Sequence, residues 1–181
     1  ESLRFGTEIM QGIDRNPIYF SIYYDDFSSF DKIKVLDACA SPGSKTTQLC
    51  DVLSELGIDY SITALESNEK RVLRLINNLQ KMSFGNVKIE NIKAQNFKSS
   101  EKFDVIFVDA PCSGNLVGDE GWLNKRDVKG IKERSNEQKN ILSNVVKYLS
   151  NNGILVYSTC SIESEENEEN IEYIVHKLEL K

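Results

Sequence analysis

Short apolar runs alternate with longer stretches of helical period through most of this chain. Runs at residues 33–38, 60–66, 86–92, 103–109 and 153–157 read as buried strands. Leu49, Val52, Leu53 and Leu56 give residues 45–56 the period of a helix, which Gly57 ends. A second helix spans 68–82, with a stripe of Val72, Leu75, Ile76, Leu79 and Met82. A third spans 136–149, with Ile141, Leu142, Val145, Val146 and Leu149 inward. The last opens after Ser161 or Ser164 and buries Ile171, Ile174, Val175 and Leu178. Strands alternating with helices over short connections make an α/β domain with a mostly parallel sheet covered on both faces. Right-handed crossovers wind it doubly and place a ligand crevice at the carboxyl ends of the strands. The first thirty residues break the pattern. Tyr19-Phe20-Ser21-Ile22-Tyr23-Tyr24 suits either an aromatic strand or a cover over the site. The expected division is therefore an extension or cover segment at 1–30 and a single domain at 31–181.

With 181 residues the chain can bury one core, and 40% hydrophobic with 28% charged residues is ordinary for a soluble domain. No run approaches the roughly 18 apolar residues of a membrane span, and no signal peptide is visible. The four cysteines are widely spaced, without a Cys-x-x-Cys pair, so neither zinc nor a disulfide framework is expected. Reduced thiols in the cytoplasm fit better. The net charge of −6 argues against a dedicated nucleic-acid binder, but its distribution is uneven. Glu163, Glu165, Glu166, Glu168, Glu169 and Glu172 crowd the last helix start, where they read as a solvated, dipole-matched first turn rather than a metal site. Lys125, Arg126, Lys129, Lys132 and Arg134 form a basic segment, which suits a polyanionic substrate and a solvated helix face equally. His176, the only histidine, sits late in a helix, and a hydrolase triad has no candidate base.

Candidate chemistry gathers at strand ends. The first strand runs into Asp37-Ala38-Cys39-Ala40-Ser41-Pro42-Gly43-Ser44-Lys45-Thr46, a turn of small residues before a helix N-terminus. It has neither the spacing of a P-loop nor Gly-x-Gly-x-x-Gly. Glu66, at the end of the second strand, can accept hydrogen bonds from both hydroxyls of a ribose. A close-approach loop and a strand-end acid without a diphosphate cradle suggest an adenosine cofactor lacking phosphates, and S-adenosylmethionine fits; a generic strand–helix turn with an exposed Glu is the other reading of these residues. Two further strands end in cysteine motifs, Asp109-Ala110-Pro111-Cys112-Ser113-Gly114 and Ser158-Thr159-Cys160-Ser161. Thiols at the ends of two parallel strands can face one crevice, and methylation of a pyrimidine ring carbon is a reaction that uses two. Cys39 and Cys50 read as small core hydrophobes.

Together, the segments 37–49, 109–114 and 157–161 resemble the RNA cytosine-C5 methyltransferases of the NOL/NOP/Sun family, in register from about residue 33 onward. The stretch 114–122, followed by Lys125-Arg126, is similar to archaeal members associated with tRNA. The resemblance implies a Rossmann-like S-adenosylmethionine-dependent methyltransferase fold and an RNA substrate, tRNA before rRNA, with no metal and no membrane. It implies that Cys39, Ala40, Ser41, Pro42, Gly43, Ser44 and Lys45 line the cofactor site, that Glu66 holds the ribose, and that Arg71 matches an arginine on the following helix. Asp109 is implied to touch both cofactor and base, Cys160 to be the nucleophile, and Cys112 to help release product. Lys93, beside Ala94, stands where the family has an adenine-binding Asp, with Gln95 or Asn96 as substitutes. Asp25 stands where a Gln is usual, and the family's final strands and RNA-binding appendage have no counterpart here. Trp122, Lys125 and Arg126 are candidates to hold flanking RNA or a splayed base, although a sole tryptophan also suits packing. Two other readings remain open: DNA cytosine methylation through Cys112, and an inactive cofactor- or RNA-binding scaffold.

The chemistry requires these groups. A thiolate added to carbon 6 of cytosine makes carbon 5 nucleophilic enough to take a methyl group. Hydrogen bonding or protonation at N3, the task expected of Asp109, draws charge from the ring during attack. The base must be unstacked to reach such a crevice.

Overall fold

The computed structural model describes residues 32–82, 84–114 and 121–178, apart from the side chains of Leu123 and Lys125. The segment 1–30, with its aromatic run and Asp25, lies outside the described residues. Five strands, β1 (Lys32–Asp37), β2 (Asp59–Leu65), β3 (Val87–Glu90), β4 (Phe103–Asp109) and β5 (Leu149–Ser158), form one sheet in the order β3-β2-β1-β4-β5. Every pairing is parallel. From β1 the chain winds outward through β2 and β3, then returns past β1 to lay down β4 and β5. The winding reverses between β1 and β4, and the strands' carboxyl ends at such a switch point are where open α/β sheets place a ligand.

Side-chain alternation builds both layers. Ile33, Val35, Val105 and Phe107 meet Leu49 and Leu53 of α1 (Ser44–Glu55), while Ala64 meets Leu75 and Leu79 of α2 (Glu69–Lys81). On the other face Leu36, Ile106 and Val108 meet Ile141, Leu142 and Val145 of α4 (Val128–Val145) and Ile174 of α5 (Glu168–Lys177). Central β1 and β4 are thus apolar on both faces, as parallel strands under two helical layers must be. A short helix, α3 (Trp122–Lys125), precedes α4.

Several boundaries differ from the sequence expectation: β3 is shorter than 86–92, and the helix expected to reach 149 ends at Val145, with Leu149 in β5. Helix α4 begins at Val128 rather than near 136, because Asp127 caps it by accepting the Gly130 N–H at 2.9 Å. Its first turns carry exposed Val128, Lys129 and Lys132, so no apolar period marks them. Strand β5 begins at Leu149 rather than 153, with a register irregularity between Phe103 and Val105 that takes up the extra residues around Gly153. Met82 is exposed and lies past the end of α2, outside the buried stripe.

Candidate active site

The cofactor-type loop is held from below and from one side. Asp37, the buried last residue of β1, accepts the Thr46 hydroxyl at 2.7 Å and the Cys39 N–H at 3.3 Å, which folds the turn back onto α1. Burial pushes the Asp37 carboxyl up to about 6, against the lowering effect of those two hydrogen bonds. Gly43 has φ +106°, and a Cβ there would stand 2.8 Å from Leu75 Cδ1, so the loop needs glycine both for its backbone and for its approach to α2. Arg71 of α2 donates to the Ser41 carbonyl at 2.8 Å and pairs with Glu66 at 3.3 Å. Ser41 returns a hydrogen bond to the Arg71 carbonyl, and Asn78 donates to the Pro42 carbonyl. Arg71 therefore acts on the loop and on Glu66 rather than standing free.

Glu66 is buried just beyond β2 and also accepts the Asn68 N–H at 2.7 Å. Ala94 is buried, with its carbonyl accepting from Asn144, whereas Lys93 is exposed. A buried carboxylate at the β2 end, facing a glycine-bearing loop without a phosphate cradle, fits a nucleoside ligand with two ribose hydroxyls. The residues that would hold it are 39–45, Glu66 and the Lys93–Ala94 edge.

At the switch point, Lys45 of α1 pairs with Asp109 at the end of β4, and the Ser158 hydroxyl donates to Asp109 at 2.9 Å. This one carboxylate links the first turn of α1 to β4 and β5. Three residues beyond Asp109 lies Cys112, and two beyond Ser158 lies Cys160. Because Asp109 and Ser158 are register partners, the two cysteines come together with Cα atoms 6.4 Å apart. Their sulfurs are joined as a disulfide, where the sequence reading expected reduced thiols. Neighbouring parallel strands ending in equivalent turns bring the pair within disulfide range, which no sequence spacing of 48 residues reveals. Cys160 is exposed and Cys112 half-buried. Nucleophilic attack needs the reduced form. The other thiols are poor nucleophiles: burial pushes Cys50 up to about 11, and burial followed by Asp37, Asp109 and Glu66 pushes Cys39 well above the ordinary thiol range.

The loops that carry the cysteines are tied by residues the sequence reading left in solvent. Glu166 is wholly buried and accepts from the Ser113 N–H, the Ser161 hydroxyl and Gln138. Glu163 is buried and receives Arg126 through both oxygens, at 2.5 and 2.6 Å, which holds its carboxyl below the usual range. The glutamate run is thus only partly a solvated helix start. Trp122 is buried, donates its indole N–H to the Ser113 carbonyl at 3.0 Å, and carries the Arg126 guanidinium 5.5 Å above its ring. Trp122 thus braces the Cys112 turn and Arg126 ties down Glu163, while the Lys125 side chain lies outside the described residues. On α4, Lys129 and Arg134 pair with Glu133 and Glu137, the pattern of a solvated face. No group of three His, Cys, Asp or Glu among the described residues is arranged to hold a metal. No described helix is long and apolar enough to cross a membrane.

The strand order is that of a Rossmann-like fold, and together with the likenesses that follow it places the chain among the S-adenosylmethionine-dependent methyltransferases. The family described as 16S rRNA methyltransferase RsmB/F matches residues 28–180, and the chain belongs to that family. It is 31% identical over 144 residues to the tRNA (cytosine(72)-C(5))-methyltransferase of Pyrococcus horikoshii, covering 79% of this chain and 36% of that protein. It is 36% identical over 138 residues to the ribosomal RNA small subunit methyltransferase F of Aeromonas hydrophila, covering 74% and 28%. The solved structure of NSun6 from Pyrococcus horikoshii with SFG superposes with a TM-score of 0.73 at 29% identity, over 81% of this chain and 38% of that one. The chain spans about a third of the length of these relatives.

Proposed function

We propose that this domain methylates carbon 5 of cytosine in RNA through a covalent adduct between Cys160 and carbon 6. The observation that carries this reading is the meeting of Cys112 and Cys160 at the ends of neighbouring strands, beside the Lys45–Asp109 pair. S-adenosylmethionine, bound by residues 39–45 and Glu66, supplies a sulfonium methyl group. The reduced Cys160 thiolate adds to carbon 6, while a proton carried by the Asp109 carboxyl is given or hydrogen-bonded to N3 and draws charge from the ring. After transfer, the carbon 5 proton leaves and its electron pair restores the carbon 5–carbon 6 double bond. The bond from carbon 6 to sulfur breaks, returning Cys160 as a thiolate. Cys112, as a thiolate, stands next to Cys160 to take that proton.

Trapping on RNA containing 5-fluorocytosine, under reducing conditions with S-adenosylmethionine, tests the assignment. The wild type forms a covalent adduct, Cys160→Ala forms none, and Cys112→Ala retains it. Loss of the adduct in Cys112→Ala alone would reverse the roles and favour the DNA-enzyme arrangement. A folded chain that shows no S-adenosylmethionine binding by calorimetry would leave only a scaffold. Between the RNA classes in the relatives' names, the proposal takes transfer RNA, on the likeness of residues 114–122 to archaeal tRNA enzymes and the Pyrococcus horikoshii relative. Bisulfite mapping with and without the gene decides this. A 5-methylcytosine lost from ribosomal RNA instead would overturn that half.

A further inference from the structure

Glu166 sits at the junction of the two cysteine turns, in the 3-10 turn Ser164–Glu166 that follows Cys160, and it is completely buried. Both carboxylate oxygens are engaged. Oε1 accepts the Ser161 hydroxyl at 2.9 Å, Oε2 accepts Gln138 Nε2 at 2.7 Å, and the Ser113 N–H reaches the two oxygens at 3.3 and 3.1 Å. One side chain therefore grips the residue after Cys112 and the residue after Cys160. The Ser113 and Ser161 hydroxyls also meet at 3.2 Å, and Trp122 holds the Ser113 carbonyl from the other side. Gln138 cannot turn to serve a different partner. Its amide also donates to the Pro111 carbonyl at 2.9 Å, and its carbonyl oxygen accepts Tyr157 at 3.1 Å and Asn170 at 2.7 Å.

A wholly buried carboxylate costs solvation that packing alone would not require. Only a carboxylate offers acceptors on both oxygens, whereas an amide turns one end into a donor. Here every partner donates, and the Gln138 amide nitrogen and the Ser113 N–H can do nothing else, so the site suits a carboxylate better than its isostere. We propose that Glu166 is a positioning residue that sets the separation of the Cys112 and Cys160 thiols, keeping Cys112 within reach of the adduct when Cys160 must leave it. The mechanistic half rests on the function proposed above, while the thiol spacing does not.

The test reads the spacing directly. Reduced protein is equilibrated with glutathione and glutathione disulfide, and the Cys112–Cys160 disulfide is quantified by mass spectrometry. Forming it takes two electrons from the thiols and reduces one glutathione disulfide to two glutathiones. The equilibrium constant measures the effective concentration of one thiol at the other, without RNA or cofactor. Glu166→Gln is expected to lower this constant about tenfold or more. Turnover on RNA is expected to lose kcat by a similar factor, with KM for RNA and the S-adenosylmethionine affinity changed less than threefold. Unreleased protein–RNA adduct should then accumulate, as is also expected of Cys112→Ala. Should Glu166→Gln fail to fold, Ser161→Ala removes one strut and keeps the carboxylate, and a smaller change in the same direction is expected. A thiol equilibrium within twofold of wild type in a folded variant overturns the proposal. So does joint loss of fold and cofactor binding in both variants, which would make the network general packing. If the wild type traps no adduct on 5-fluorocytosine RNA, the proposed function falls while the glutathione measurement still decides the role of Glu166.

Discussion

At the scale of single residues, burial decides which groups carry charge. Asp37 takes part in no expected step, yet its carboxyl, pushed up to about 6 by burial, makes the fold sensitive to pH. An unfolded aspartate titrates near 3.9. Below that value both states are protonated. Between about 4 and 6 the folded chain keeps the proton that the unfolded chain has lost, so stability falls as pH rises through this window. Above about 6 the loss is complete. Urea denaturation across this range should show a fall of roughly 1–3 kcal/mol in the wild type from this group. Asp37→Asn should remove that contribution while keeping an acceptor for the Cys39 N–H. An equal pH slope in both proteins would mean that Asp37 is already ionised in the fold. The motif containing Asp37 was plain in the sequence. Its burial followed only from β1 being covered on both faces. Likewise, six clustered glutamates looked alike until Glu163 and Glu166 turned inward to Arg126 and Ser113.

At the scale of elements, the turn from β1 into α1 and the helix beside it form one unit. Gly43 adopts a left-handed φ in contact with Leu75, and Arg71 and Asn78 of α2 bond the loop's carbonyls. Gly43→Ala adds backbone strain and drives a methyl group into a fully buried leucine. A loss of roughly 1–3 kcal/mol is expected by urea denaturation, accompanied by weaker S-adenosylmethionine binding in calorimetry. Unchanged stability would show that Leu75 repacks freely. The period of α1 and α2 was legible because apolar residues recur on one face. The start of α4 was not, since a cap and a polar first turn carry no period.

At the scale of the whole molecule, stability is graded across the sheet. Strands β1 and β4 are paired on both sides and covered on both faces, whereas β3 and β5 are the outer strands of the described sheet. β5 is partly exposed along much of its length, and Ile154 faces solvent. An open edge leaves backbone groups to water or to a partner strand. Hydrogen exchange should therefore find the β1 and β4 amides opening only with global unfolding, with the outward amides of β3 and β5 exchanging at least tenfold faster. Uniform protection across all five strands would mean that β5 is covered by something outside the described residues.

The sequence by itself determined the α/β class, the strand-end placement of the motifs and the identity of the chemically capable residues. Those features are local, written in apolar period, glycine position and residue type. The tertiary structure alone decided the strand order, the joining of Cys112 to Cys160, the pairing of Lys45 with Asp109, and the burial of Glu163, Glu166 and Trp122. The Lys45–Asp109 pair spans 64 positions and the β1–β4 pairing 70, and pairing at that range is set by how strands and helices pack, which no local pattern encodes.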